Sequence, residues 1–214
     1  MSSFIYKLLC TNGDEILNPK IDGLTVEYKG TQGGVVEIEE GAIFHNTIIL
    51  IGSAGHIRIN KTHPRGIRNT RIEMVCAYKF KQVFIDEGCS IESARFSVVG
   101  DNNLSVSIGK DCMFSSNILF RACDGHTIFD IKNGNVLNKS KPIILGDHIW
   151  IGAETTFLKG SEIPNNTIIG TSSIITKKHT LEFTAIAGRP ATIVKTGVNW
   201  DRKQIPIYEK DRDL

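Results

Sequence analysis

LGDHIW-IGAETT-FLKGSE-IPNNTI-IGTSSI-ITKKHT-LEFTAI-AGRPAT-I, residues 145–193, is the stretch whose period decides the fold. Each block of six opens on an apolar residue: Leu145, Ile151, Phe157, Ile163, Ile169, Ile175, Leu181, Ala187 and Ile193. Four positions on stand Ile149, Thr155, Ser161, Thr167, Ser173, His179, Ala185 and Ala191, most of them small, and Gly146, Gly152, Gly170 and Gly188 directly follow the apolar position. An α-helix cannot use this pattern, because six residues do not close on a 3.6-residue turn and the isoleucines would scatter over every face. A solenoid with three short strands per coil can. The apolar residue points into a prism, the small one fits beside it, and glycine relieves the corner. The spacing predicts about three coils of parallel β-helix over residues 144–194, at roughly eighteen residues per triangular turn.

Outward from this stretch, the period recurs as Ile85 and Ile91 and then, after a one-residue slip near Asp101 to Leu104, as Ile108, Phe114, Phe120 and His126. Ile38, Phe44 and Leu50 suggest a further coil. Residues 60–71 are too polar for a core and read as an excursion, which gathers Lys61, Arg65, Arg68 and Arg71. Such a cluster could grip an anionic polysaccharide through arginine forks, or be a solvated loop or a subunit contact. Thr127 to Pro142 reads as a polar loop extruded immediately after His126. One domain, 1–214, is therefore expected: irregular coils over 1–80, regular coils over 81–195 interrupted by loop 127–142, and a charged tail over 196–214 with Trp200 and Tyr208 as anchors.

Composition narrows the classes. Met1 to Lys20 has no basic stretch leading into an apolar run, and no window approaches the roughly 18 apolar residues of a membrane span, so a cytoplasmic protein is expected. A net charge of +2 over 214 residues does not make the concentrated basic face of a nucleic-acid-binding protein. The five cysteines are widely spaced and include no CxxC pair, which suggests neither a disulfide framework nor a zinc site but small thiols in a reducing compartment.

Five segments carry a resemblance: Val106-Ser-Ile-Gly-Lys-Asp-Cys-Met113, Asp124-Gly-His-Thr-Ile-Phe129, Asp147-His-Ile-Trp-Ile-Gly152, Ile163-Pro-Asn-Asn166 and Ile186-Ala-Gly-Arg-Pro-Ala191. On these the chain resembles the hexapeptide-repeat O-acetyltransferases, and most closely the bacterial capsule enzymes that acetylate polysialic acid. The resemblance implies an all-β, left-handed parallel β-helix, acetyl-CoA as donor without a metal, and a saccharide acceptor from the bacterial surface. It also implies a homotrimer with active sites between subunits. A monosaccharide or nucleotide sugar is the alternative acceptor, and a β-helix scaffold is the alternative to an enzyme. A zinc hydratase on the same prism would need three converging histidines, and the six histidines here contain no H-x4-H pair.

Acetyl transfer to a hydroxyl needs a base to take the proton, and an imidazole of pKa about 6.5 suits cellular pH. His126 is the candidate base. A lone histidine is ordinarily just a polar loop residue; here the resemblance favours the catalytic reading. Asp124 or Asp130 could orient its ring, or be a solvated turn residue. Where the sugar-acetylating relatives carry an asparagine one coil upstream, this chain has Ser97. Trp150 flanks an inward position and should lie outside the prism, against donor, acceptor or a neighbouring subunit. By resemblance the pantetheine arm of acetyl-CoA meets Trp150, Gly152, Ala153, Gly170 and Thr171. Its phosphates meet Thr176, Lys177 and Lys195, with Lys178 or Arg189 in reserve because Thr192 stands where a basic residue is common.

Overall fold

Strands of only two to six residues build the prism, because the backbone must turn a corner before a longer strand can form. The computed structural model describes residues 3–212. Between an antiparallel pair at each end, successive strands pass through three sheets in turn and pair in parallel with the strand one coil away. Sheet I runs from Glu15–Leu17, beside Phe4–Leu9, to Glu162–Ile163, sheet II from Phe44–His45 to Ala191–Thr196, and sheet III from Leu24–Tyr28 to Ile174–Ile175. Like residues stack on like: Phe114, Ile151, Ile169 and Ile186 form one column. Phe96, Phe120 and Phe157 form another, with ring centroids 4.5 and 4.8 Å apart and planes within 7° of parallel. Those separations are the inter-strand spacing itself, so the rings stack because the strands do.

The small inward residues are buried by satisfying themselves locally. Thr155 Oγ1 donates to Gly152 O at 2.8 Å, Ser161 Oγ to Leu158 O at 2.6 Å and Ser173 Oγ to Gly170 O at 2.6 Å. Each hydroxyl thus escapes the penalty of an unpaired polar group in an aliphatic core. Leu145, Ile151, Phe157, Ile163, Ile169 and Ile175 are all buried.

The repeat ends earlier than the sequence suggests. Leu181 and Ile193 are 50% and 43% exposed, and the last two strands, Thr184–Gly188 and Ala191–Thr196, form an antiparallel hairpin. The coils stop where the bulky His179 takes a small-residue position and is nearly buried, with no described residue bonded to its Nε2. Burial, reinforced by Lys177, pushes its pKa down.

Upstream, residues 60–71 are not an excursion. Thr62, Ile67 and Thr70 are buried, and Ile67–Arg68 and Thr70–Glu73 are strands of sheets II and III. Short strands between polar corners carry too few apolar residues to read as core. In the neighbouring coil the inward residues are Ile49 and Ile51 rather than Leu50, because a strand alternates faces. The coils are thus regular from Gly34 onward rather than from residue 81. The tail closes with one helix, α1 (Ile205–Arg212), which buries no residue. Among the described residues no helix is long and apolar enough to cross a membrane.

Candidate active site

At the exit from Ile118–Arg121 the chain leaves the prism through the buried Ala122 and Cys123, and it re-enters at Ile143–Leu145. Gly125 takes φ +87°, a conformation open to glycine, and His126 follows it. Asn138 stitches the two legs of the loop together: its Nδ2 donates to His126 O at 2.7 Å and to Asp124 Oδ2 at 2.9 Å, and its Oδ1 accepts from Ile128 N at 2.7 Å. From the next coil Lys159 Nζ donates to Asp124 Oδ2 and, at 2.8 Å, to Asn138 O. The His126 backbone is therefore fixed from two sides.

Its ring stays exposed, and no described residue hydrogen-bonds to either ring nitrogen. It faces a cleft of about 520 Å³ whose walls include Tyr78, Asp101, Cys123, Asn138 and Ser140. Neither aspartate orients it. Asp124 is occupied by Lys159 and Asn138, and the Lys159 ammonium, then Asn138, holds its carboxyl below the usual range. Asp130 accepts from Lys132 N at 2.7 Å, a local turn. Ser97 pairs with Arg121, not with the histidine.

The loop itself departs from the polar reading. Its polar residues make the turns, while Phe129 and Val136 pair as an antiparallel bridge. Ile128, Phe129, Ile131 and Leu137 are exposed, Ile131 at 91%. A short hairpin with an apolar rim has no core of its own to bury, which composition alone does not reveal.

Trp150 lies outside the prism as expected, 40% exposed on sheet II. Within one chain it does not share the His126 cleft, because the loop springs from the corner between sheets III and I. Trp150 instead borders a cavity of about 670 Å³ with His148, Trp200 and, from α1, Tyr208. That wall was not foreseen. His148 Nδ1 meets Asp111 Oδ2 at 2.7 Å, while Arg202 donates to Asp111 Oδ1 at 3.0 Å and to Ser90 Oγ at 2.8 Å. Ninety residues separate Arg202 from Asp111 along the chain, and no local pattern marks such a pair. Of the expected anchors Trp200 is buried and Tyr208 is 48% exposed.

The donor-edge residues fall into three groups. Gly152, Ala153, Gly170 and Thr171 stack on one corner, after sheet II in successive coils. A Cβ on Gly152 would lie 2.5 Å from Thr171 N, so coil stacking already requires glycine there. The amides of Ala153 and Thr171 bond to no described residue, which suits an amide-bearing ligand. Thr176 and Lys177 occupy the following corner, past sheet III, and Lys195 lies on the terminal hairpin. All three are exposed. Lys178 is paired with Glu162 and Arg189 with Ser172 O, so neither stand-in is uncommitted. In the basic segment, Arg71 is paired with Glu73 and Arg68 lies 3.9 Å from Glu92. Among the described residues no cluster of three histidine, cysteine or acidic side chains could hold a metal.

The three-sheet prism, the six-residue period and the histidine-bearing loop define a hexapeptide-repeat, left-handed β-helix protein. Comparison with known proteins gives the particular kinship. The polysialic acid O-acetyltransferase of Escherichia coli O1:K1 / APEC is 34% identical over 148 residues, 69% of this chain and 45% of the relative. The polysialic acid O-acetyltransferase of Neisseria meningitidis is 36% identical over 121 residues, 54% of this chain and 56% of the relative. The chain thus spans about half the length of these curated relatives. The crystal structure of the polySia-specific acetyltransferase NeuO superposes with a TM-score of 0.65 at 23% identity, covering 99% of this chain and 91% of that one. No protein-family model matches the chain. The chain thus has the hexapeptide-repeat fold and resembles the polysialic acid O-acetyltransferases in sequence.

Proposed function

We propose that the chain transfers the acetyl group of acetyl-CoA to a hydroxyl of a bacterial surface saccharide, with His126 as general base. The observation that carries this reading is the His126 imidazole itself: exposed and unpartnered at the mouth of a cleft, on a loop held at its base by Asn138 and Lys159. A base must be within hydrogen-bond reach of the hydroxyl it deprotonates, and a ring without an internal partner is available for that. His126 takes the proton as the oxygen attacks the thioester carbonyl, and can return one to the departing thiolate. The acceptor class, a capsular polysaccharide that could contain sialic acid, follows the relatives' names.

In this reading Trp150 positions donor or acceptor, the free amides of Ala153 and Thr171 take the pantetheine, and Thr176, Lys177 and Lys195 take the phosphates. Because His126 and Trp150 border separate clefts of one chain, we place the working site between subunits of a homotrimer. The exposed apolar rim of the loop would supply part of the contact. A cytoplasmic setting accords with the free cysteines.

The test is acetyl transfer from radiolabelled acetyl-CoA to sialic acid polymers, other capsular polymers, free sugars and nucleotide sugars. The proposal expects label on a polymer hydroxyl. Transfer confined to amines, or no transfer to any member by protein that binds acetyl-CoA, would overturn it.

A further inference from the structure

Among the described residues the largest fully buried side chain is that of Lys81, 1% exposed. Lysine is almost never fully buried unless paired, since an ammonium loses its hydration there. No described carboxylate lies within ion-pair distance of it. Its Nζ points instead at a sulfur, donating to Cys76 Sγ at 2.7 Å and also to Tyr78 O. Cys76 is half-exposed, so the sulfur reaches both the buried cation and the solvent. The group that can balance the Lys81 charge is the Cys76 thiolate.

We propose that Lys81 holds Cys76 as a thiolate, making it a modification site for oxidants of the hydroperoxide class. The thiolate is the reactive form of cysteine, and a neighbouring lysine favours it. Burial pushes the Cys76 thiol up, but Lys81 leads the contacts that outweigh it and leave it below its ordinary value. Lys81 is the charged group that acts on it; the carbonyls of Tyr78 and Gly100 accept from the Sγ–H of the neutral form, at 3.7 and 3.6 Å, so the thiolate rests on Lys81. Cys10 provides an internal comparison. It too is half-exposed, yet burial, with Glu40 and Asp14, holds it above its ordinary value.

In the reaction the sulfur attacks one peroxide oxygen and the O–O bond breaks. Sulfur is oxidised by two electrons to the sulfenic acid, and the second oxygen leaves as hydroxide from hydrogen peroxide, or as alkoxide from an organic hydroperoxide, and is protonated to water or the alcohol. The neutral product no longer balances Lys81, so the segment around residues 76–81 is destabilised. Tyr78 and Gly100 of this neighbourhood line the His126 cleft, and Cys76 Sγ lies 3.6 Å from Gly100 O. Oxidation should therefore be felt in that cleft. None of this rests on the acetyl-transfer reading.

The experiment is labelling of the full chain with limiting iodoacetamide at pH 6.5, with rates at Cys76 and Cys10 read by peptide mass spectrometry. Cys76 should react about tenfold faster than Cys10. Lys81→Met should abolish the advantage and Lys81→Arg should keep most of it. Hydrogen peroxide followed by dimedone should place the adduct first on Cys76. Equal rates at the two cysteines in the wild-type protein would overturn the proposal. So would an undiminished Cys76 rate in Lys81→Met that melts like wild type; if that variant does not fold, the wild-type comparison decides.

Discussion

His148 and Trp200 stack face to face, ring centroids 4.3 Å apart and planes 10° from parallel. Each is tied to the other's backbone: Trp200 Nε1 donates to His148 O at 3.0 Å, and His148 Nε2 meets Trp200 O at 3.1 Å. This staple and the Arg202 bonds to Asp111 and Ser90 hold the tail to the prism, since α1 buries nothing of its own. The double variant Trp200→Ala/Arg202→Ala should therefore free the tail beyond residue 199 without unfolding the coils. Limited proteolysis should cut there first while the far-UV spectrum keeps its β character. Resistance equal to wild type would show that the tail is held elsewhere.

His126→Ala should lower the turnover number by about two to four orders of magnitude, the usual worth of a positioned base. Its ring is exposed and hydrogen-bonds to no described residue, so stability should change by less than about 0.5 kcal/mol. Saturating kinetics and thermal melts on one preparation check both parts. Near-normal turnover would remove His126 from the mechanism and leave the fold untouched.

The loop base should respond to acid. Lys159, then Asn138, depresses the Asp124 pKa in the folded chain. The stabilisation this provides is fully present above the unfolded carboxylate value, about 3.9, and is lost as pH falls through the lower folded value. Hydrogen exchange over residues 124–140 should accelerate across that window. In Asp124→Asn, already deprived of the ion pair, the acid step should be absent.

Lys177→Ala and Lys195→Ala should each raise KM for acetyl-CoA about fivefold or more, as loss of a charge-assisted phosphate contact costs roughly 1 kcal/mol or above. Acceptor KM should stay close to wild type. Unchanged donor KM in both variants would move the phosphates to another end of the prism.

Phe120 is the middle ring of the Phe96–Phe120–Phe157 stack and is fully buried. Phe120→Ala should cost about 3 to 5 kcal/mol, from lost transfer free energy and the cavity left between two rings. Urea denaturation with an unchanged m-value would measure it. A cost below about 1 kcal/mol would mean that the column collapses to fill the gap.

The six-residue period by itself determined the architecture, because side chains recurring at that interval can meet only if the backbone turns a three-cornered coil. Six of the nine apolar positions, from Leu145 to Ile175, are buried as that argument requires. The hydroxyl residues between them were legible too, being small and able to bond to the backbone beside them. The sequence also marked His126, through the motif around it and the break in period that follows. Tertiary structure alone decided that Asp124 serves Lys159 and Asn138 rather than the imidazole, and that Asp111 is shared by His148 and Arg202. It alone placed Lys81 against Cys76 and separated His126 from Trp150 within one chain. Periodicity reports which face a residue takes. The partner a charged side chain finds depends on which coil and corner stack above it, and those lie tens of residues away in the sequence.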